Sequence, residues 1–245
     1  MATEPEQEHK TPQFQYFAGV FDRGTVESAA EIILTPESGI TTEQRWVRET
    51  PYLAEMYIRD LKIRDLVKGF DFDYRPVVLD YGCGIGRMAV PLMQAGATVI
   101  GVDISVSMRK MALEYTEGHG NFVAVSPQMF GDLVVNGLRV DAVMSTWALQ
   151  HVYDISETVE KIKRAMKPKA RIALTNSKKR LVPCLRPQDG NPEVREMLWA
   201  DDGFNLSVHM GKEFVPVLGR NLNPAKVGDA VAGSSFFGVW EKRSD

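Results

Sequence analysis

The chain has 245 residues, of which 44% are apolar and 9% aromatic, and carries a net charge of −3. Such a composition buries a sizeable core and excludes global disorder; at roughly 150 residues per domain, the length suits one α/β core with a small appendage. The weak negative charge offers no broad cationic field for tracking long nucleic acid.

The opening stretch "MATEPEQEHK" is acidic and polar, without the basic-then-apolar layout of a secretory leader, and no run of about 18 apolar residues occurs. A cytoplasmic protein with no membrane partner is expected. Cys83 and Cys184 are too few for a disulfide framework or a thiolate zinc site, and read as free thiols.

In chain order, residues 1–12 read as a disordered tail and 13–68 as an N-terminal helical segment that can act as a lid, with "VESAAEIIL" the most ordered-looking part of 13–40. A helical pattern starts near Thr41, with Thr42 as a cap, and Pro51 is expected to open a second helix whose apolar face carries Leu53, Met56, Tyr57 and Leu61. From residue 69 onward the core follows. "VVLDY" is a strand, Arg87–Ala95 a helix closed by Gly96, and "TVIGVD" a second strand. Ser105 caps a helix ending at Gly118, "NFVAV" is a third strand and "VDAVMST" a fourth. Asp154 and Glu157 have capping-box spacing for a helix through Met166, ended by Pro168, and "RIALTN" is the fifth strand.

Apolar strands alternating with helices indicate a parallel sheet covered on both faces, with ligands at the carboxyl ends of its strands. Gly82, Gly84 and Gly86 form a G-x-G-x-G loop after the first strand, where the backbone can approach a ligand and the next helix offers free amides. The dinucleotide spacing G-x-G-x-x-G is not met, which disfavours a nicotinamide oxidoreductase. Asp80, ahead of the glycines, would repel a pyrophosphate but accept hydrogen bonds from an ammonium group. Asp103, ending the second strand, can accept from a ribose diol. Adenosine at one end and an amino acid at the other satisfy both, and S-adenosylmethionine is that ligand.

"VLDYGCGIGRMAVPL", "VIGVDISVSM" and "DAVMSTWALQHV", in this order, resemble the class I S-adenosylmethionine-dependent methyltransferases over about residues 41–176. The resemblance implies a Rossmann-like α/β fold: a mixed sheet of about seven strands, helices on both faces, the last strand antiparallel, and an N-terminal helical extension. "LSVHM" and "SSFFGVWEKR" are the candidates for the final two strands. It further implies Gly82, Gly84 and Gly86 along the methionine part, Asp80 on the amino group, Asp103 on the ribose, and Ile104 and Met108 near the adenine. Thr146 and Trp147 are assigned to the cofactor wall, although Trp147 suits the core equally well. The departure is "AVSPQMF", where many members carry an aspartate for the adenine amino group; Ser126, Gln128 or the displaced Asp132 would substitute.

His151 is the one histidine near a strand end and the candidate general base, against a purely structural role. Trp46 and Tyr52 either close over the site or anchor their helix. The histidines make no compact metal set, and no metal is expected. Pro183-Cys184 comes after the fifth strand, where the Pro-Cys nucleophile of cytosine methyltransferases follows the fourth, so DNA is not an expected partner. Lys178, Lys179 and Arg180 sit at the ligand edge, where they either attract an anionic acceptor or are simply solvated. The expected function is methyl transfer from S-adenosylmethionine to oxygen or nitrogen of a small molecule, its pocket built from 13–60, the loop after Asn176 and 210–234. RNA or protein methylation, and a non-catalytic cofactor-binding module, are the alternatives.

Overall fold

A computed structural model describes residues 18–34, 39–68, 74–178 and 209–244 in full, and residues 15–16, 180–185 and 195–200 as backbone. The first described strand is β1 (Gln15–Tyr16), followed by a 3-10 turn at Ala18–Phe21 and α1 (Val26–Ile33). The helix α2 (Thr42–Asp60) comes next, then α3 (Ile63–Lys68).

Pro51 does not split α2 into two helices. Its missing amide leaves the Val47 carbonyl without a helical partner, but Pro51 is exposed and the Val47 side chain is 69% exposed, so the gap faces water. Meanwhile Arg45, Glu49, Leu53, Met56 and Tyr57, on both sides of the proline, are buried and keep the helix continuous through it. The cap is Thr41 rather than Thr42: its hydroxyl accepts from the Gln44 amide at 3.2 Å, and the Gln44 side chain accepts from the Thr41 amide at 2.9 Å.

The main sheet begins with β2 (Val77–Tyr81), which leads through a turn at residues 84–88 to α4 (Ala89–Gln94), two residues later than the sequence suggested. After β3 (Thr98–Val102), α5 (Val106–Thr116) is capped by Ser105 as expected, its hydroxyl accepting from the Met108 amide at 3.1 Å. Between β4 (Phe122–Val125) and β5 (Val140–Thr146) lies α6 (Pro127–Val135), which the sequence reading passed over. Ser126 caps it and Pro127 opens it. Asp154 caps α7 (Ile155–Ala165), and β6 (Met166–Ser177) starts directly afterward, running through Pro168.

Then come β7 (Arg180–Leu185), β8 (Arg195–Ala200), β9 (Phe214–Arg220), the short helices α8 (Pro224–Val227) and α9 (Asp229–Ser234), and β10 (Ser235–Lys242). The order β4-β3-β2-β5-β6-β10-β9 gives a seven-stranded sheet in which β2 to β6 pair in parallel and β10 runs antiparallel to both β6 and β9. β1, β7 and β8 form a separate antiparallel sheet that no periodicity announced.

The penultimate strand is therefore not "LSVHM". His209 and Met210 of that stretch are helical, and residues 206–208 lie outside those described. Pro216 and Gly219 disguised the true strand; as a sheet edge with a bulge opposite Val239 and Trp240, it tolerates both.

Apolar side chains fill both faces of the sheet. One face packs Phe130 of α6 and Val159 and Ile162 of α7 on Leu79, Val102, Val143 and Leu174. The other packs Leu53, Met56 and Tyr57 of α2 and Leu92 of α4 on Val78, Val99 and Met144. This leaves the carboxyl ends of β2, β3 and β5 side by side at one edge.

Candidate active site

A cavity of about 1020 Å³ opens at that edge, at the upper end of the range for ligand pockets. Asp80, Gly82, Gly84, Asp103, Ile104, Met108, Thr146, Trp147 and His151 all line it. Gly86, the tenth candidate, does not. At φ +81°, its missing side chain instead makes room for Thr116 and Ala112 of α5, within 3.5 Å of where a Cβ would lie. Gly82 and Gly84 also have left-handed backbones, and a Cβ at either would strike Ala148 or Ile33. The loop thus lets the protein close in around the cavity as well as baring its amides.

Asp80 is 2% exposed at the end of β2. No hydrogen bond to its carboxylate is present among the described residues. Burial, reinforced by the charge of Asp103, pushes its pKa up to about 7. A buried carboxyl facing a cavity without a protein donor suits a cationic ligand group. Asp103, half-buried, accepts from the Gly84 amide on Oδ2 and from the Ser105 amide on Oδ1, both at 2.9 Å. Burial raises its pKa; those two amides oppose the rise. Each oxygen keeps a further lone pair.

Ile104 is 43% exposed and Met108 buried, giving the cavity an apolar wall beside Asp103. Of the segment expected near the adenine, only Pro127 reaches the cavity wall: Ser126 spends its hydroxyl on the Met129 amide, and Gln128 and Asp132 are exposed.

Trp147 has a left-handed backbone, φ +51°, unusual for an aromatic residue. Its amide donates to the Thr175 carbonyl and its indole Nε1 to Ser235 Oγ at 3.0 Å, which together hold it at the rim. Beneath it the buried Tyr57 hydroxyl lies within hydrogen-bond distance of the Ser145 carbonyl (2.9 Å), Thr175 Oγ1 (2.7 Å) and Thr146 Oγ1 (3.0 Å), its single proton serving one acceptor at a time.

His151 packs against Phe21, ring centroids 5.3 Å apart, and its Nε2 lies 3.2 Å from Gln150 Nε2. Because Gln150 Oε1 accepts from the Ser177 amide, the amide orientation is fixed and its NH2 points at the imidazole. Nε2 then accepts, and a neutral ring carries its proton on Nδ1.

The N-terminal segment closes one side of the cavity through Val20, Phe21, Ile32 and Ile33. Asp22 ties it down, accepting from Ser105 Oγ at 2.6 Å. Tyr52 accepts from the Asn223 amide at 3.2 Å, an anchoring contact, and Trp46 stacks on Arg87. Ala230, Val231 and Ser234 of α9 form another part of the rim.

Lys178 does not line the cavity; its ammonium donates to the Gly233 carbonyl at 2.8 Å. Lys179 lies outside the described residues, and Arg180 is described as backbone. The cations that do line the cavity include Arg23, Arg45 and Arg87, which sequence reasoning missed. A signal existed: Arg45 and Glu49 are a charged i,i+4 pair on the helical face that also carries Leu53 and Met56. Among the described residues, no His, Cys, Asp or Glu group is placed to hold a metal, and no helix is long and apolar enough to cross a membrane.

Residues 79–174 match the family model of a methyltransferase domain. This stretch, which runs from β2 into β6, is similar to methyltransferase domains. A magnesium protoporphyrin IX methyltransferase from Synechocystis PCC 6803, solved with S-adenosylhomocysteine bound, superposes over 92% of the chain and 97% of that structure, with a TM-score of 0.55 and 18% identity. Similarity at that level describes the methyltransferase fold. A ubiquinone biosynthesis O-methyltransferase from Dinoroseobacter shibae is 31% identical over 119 residues, covering 49% of this chain and 46% of the relative. One of the same name from Methylobacterium is 32% identical over 91 residues, covering 37% and 36%. The chain thus spans half or less of the length of these curated relatives.

Proposed function

We propose that the protein transfers a methyl group from S-adenosylmethionine to an oxygen of a small-molecule acceptor, with nitrogen as the other candidate atom. The carrying observation is the pairing of Asp80 and Asp103 at adjacent strand ends around a glycine loop, inside one cavity. Asp80 pairs with the amino group of the cofactor, and Asp103 accepts from the ribose hydroxyls on its remaining lone pairs. Ile104 and Met108 border the adenine, while Gly82 and Gly84 run beside the methionine part. Thr146 and Trp147 flank the reacting end. The names of the relatives support oxygen as the target.

When bound, the cofactor supplies a methyl group already made electrophilic by its sulfonium charge. The protein's task is then orientation, exclusion of water and removal of a proton from the acceptor. Trp147, Phe21 and α9 surround the place where an acceptor would enter. His151 is the proposed proton acceptor at Nε2, and taking up that proton breaks its contact with the Gln150 amide.

Calorimetric titration with S-adenosylmethionine and S-adenosylhomocysteine tests the reading. Binding of either supports it and justifies a screen of phenolic, carboxylic and amine acceptors for methyl transfer. Folded protein that binds neither contradicts it. Turnover that requires RNA or protein, with a steep salt dependence, would move the acceptor to a macromolecule.

A further inference from the structure

Where α9 meets β10, the cavity has an uncharged wall. The residues that line it from β6, α9 and β10 are Ser177, Ala230, Val231, Ser234 and Ser235. Lys178 is committed elsewhere: its ammonium donates to the Gly233 carbonyl and its backbone amide to the Ser234 carbonyl, each at 2.8 Å, which clamps the end of β6 to the start of β10. A wall of hydroxyl and alkyl groups gives an anion no counter-charge in exchange for the water it would lose. It suits a neutral ligand.

The hydroxyls on this wall differ in what they have left to give. Ser234 Oγ donates back along α9 to the Ala230 carbonyl at 2.7 Å. Ser235 opposes Ser177 across the β6–β10 pair, so both side chains stand on the same side of the sheet. Ser235 is 3% exposed, and its Oγ accepts from Trp147 Nε1 at 3.0 Å. A hydroxyl that accepts still has a proton to donate, and among the described residues nothing accepts the one on Ser235. A buried donor left unmet is costly, and the cavity is where its acceptor can arrive. The bond from Trp147 makes Ser235 a better donor, because hydrogen bonds in a chain polarise one another. The same bond holds the Trp147 indole in place beside that proton.

We propose that Ser235 binds the methyl acceptor through a neutral oxygen other than the one that is methylated, with Trp147 orienting the Ser235 hydroxyl and presenting a flat face to a planar acceptor. The acceptor class is then an uncharged planar molecule that carries a carbonyl, ether or second hydroxyl oxygen. This rests on the methyltransferase reading and narrows its acceptor.

In the test, protein saturated with S-adenosylhomocysteine is titrated calorimetrically with two pairs of probes of matched shape, 4-hydroxyacetophenone against 4-isopropylphenol and 2-methoxyphenol against 2-ethylphenol. The wild type is expected to bind the oxygen-bearing member of at least one pair about threefold to tenfold more tightly. Ser235→Ala should erase that preference and keep the affinity for the alkyl member. Ser235→Cys, close in shape but a weak donor, should do the same and serves where the alanine variant does not fold. An equal loss for both members would make Ser235 a mere prop for Trp147 and overturn the proposal, as would a preference that survives both substitutions. Wild type that binds none of the probes, or both members of each pair alike, also overturns it while leaving the cofactor reading intact. The charged counterpart 4-hydroxybenzoate should bind more weakly than 4-hydroxyacetophenone, and equal or tighter binding overturns the neutral assignment. Failure to bind S-adenosylhomocysteine at all overturns both readings.

Discussion

Replacing Asp80 with Asn and following S-adenosylhomocysteine affinity across pH probes the deepest negative charge in the cavity. Asp80 has a folded pKa of about 7 against 3.8 for a free side chain, because it is buried and faces the charge of Asp103. Between those values the folded chain holds a proton that the unfolded chain has released. The free protein therefore loses stability as pH rises from about 4 to about 7, and the effect is flat above that. An ammonium ligand reverses the preference, since it binds the ionised carboxylate. Affinity should rise with pH until Asp80 is fully ionised. With a pKa of about 7 and a ligand amine that stays protonated, Kd should tighten about 15-fold between about pH 5.5 and pH 7. Binding near pH 6 should release close to one proton, seen as a dependence of the calorimetric heat on the ionisation enthalpy of the buffer. Asp80→Asn should bind weakly, with a flat profile. A flat wild-type profile, or the same slope in Asp80→Asn, would refute the assignment of Asp80 to a cationic ligand group.

Asp103→Ala should weaken cofactor binding by about 1–3 kcal/mol through lost ribose hydrogen bonds, measured by calorimetry on protein shown to be folded; unchanged affinity would contradict its role. His151→Ala should lower turnover far more than cofactor affinity, and equal turnover would remove His151 from the mechanism. Tyr57→Phe should destabilise the fold by about 1–3 kcal/mol, seen as a lower denaturant midpoint with an unchanged slope, because Thr146, Thr175 and the Ser145 carbonyl lose a shared partner. An unaltered midpoint would mean that water replaces the hydroxyl.

The strand ends were legible because buried parallel strands are short apolar runs with a polar residue at the mouth: "VVLDY" and "TVIGVD" deliver Asp80 and Asp103 with no tertiary information. The edge strand at 214–220 was not, since an edge is where proline and glycine are permitted and the apolar signal fades. Pro51 misled for a related reason. A local rule about proline holds for an isolated helix, and here Leu53, Met56 and Tyr57 on one side and Arg45 and Glu49 on the other outweigh it. α6 was hidden behind the expectation of an adenine contact at "AVSPQMF", although Ser126-Pro127 is itself a helix start. Arg45 and Arg87 escaped because their meaning depends on meeting each other across 42 residues of chain, a juxtaposition only the fold supplies.

Sequence similarity to the methyltransferase domain begins at residue 79, but the cooperative unit begins earlier. Tyr57 joins α2 to the ends of two strands, and Leu53, Met56 and Leu61 cover Val78 and Met144. A fragment trimmed to the matched residues would bare an apolar sheet face to water and orphan the hydroxyls of Thr146 and Thr175. The segment ahead of the matched residues is thus one on which the packing of the sheet depends. Any search for the minimal functional piece of this chain should cut upstream of Thr41, where the helix cap begins, and not at the edge of the alignment.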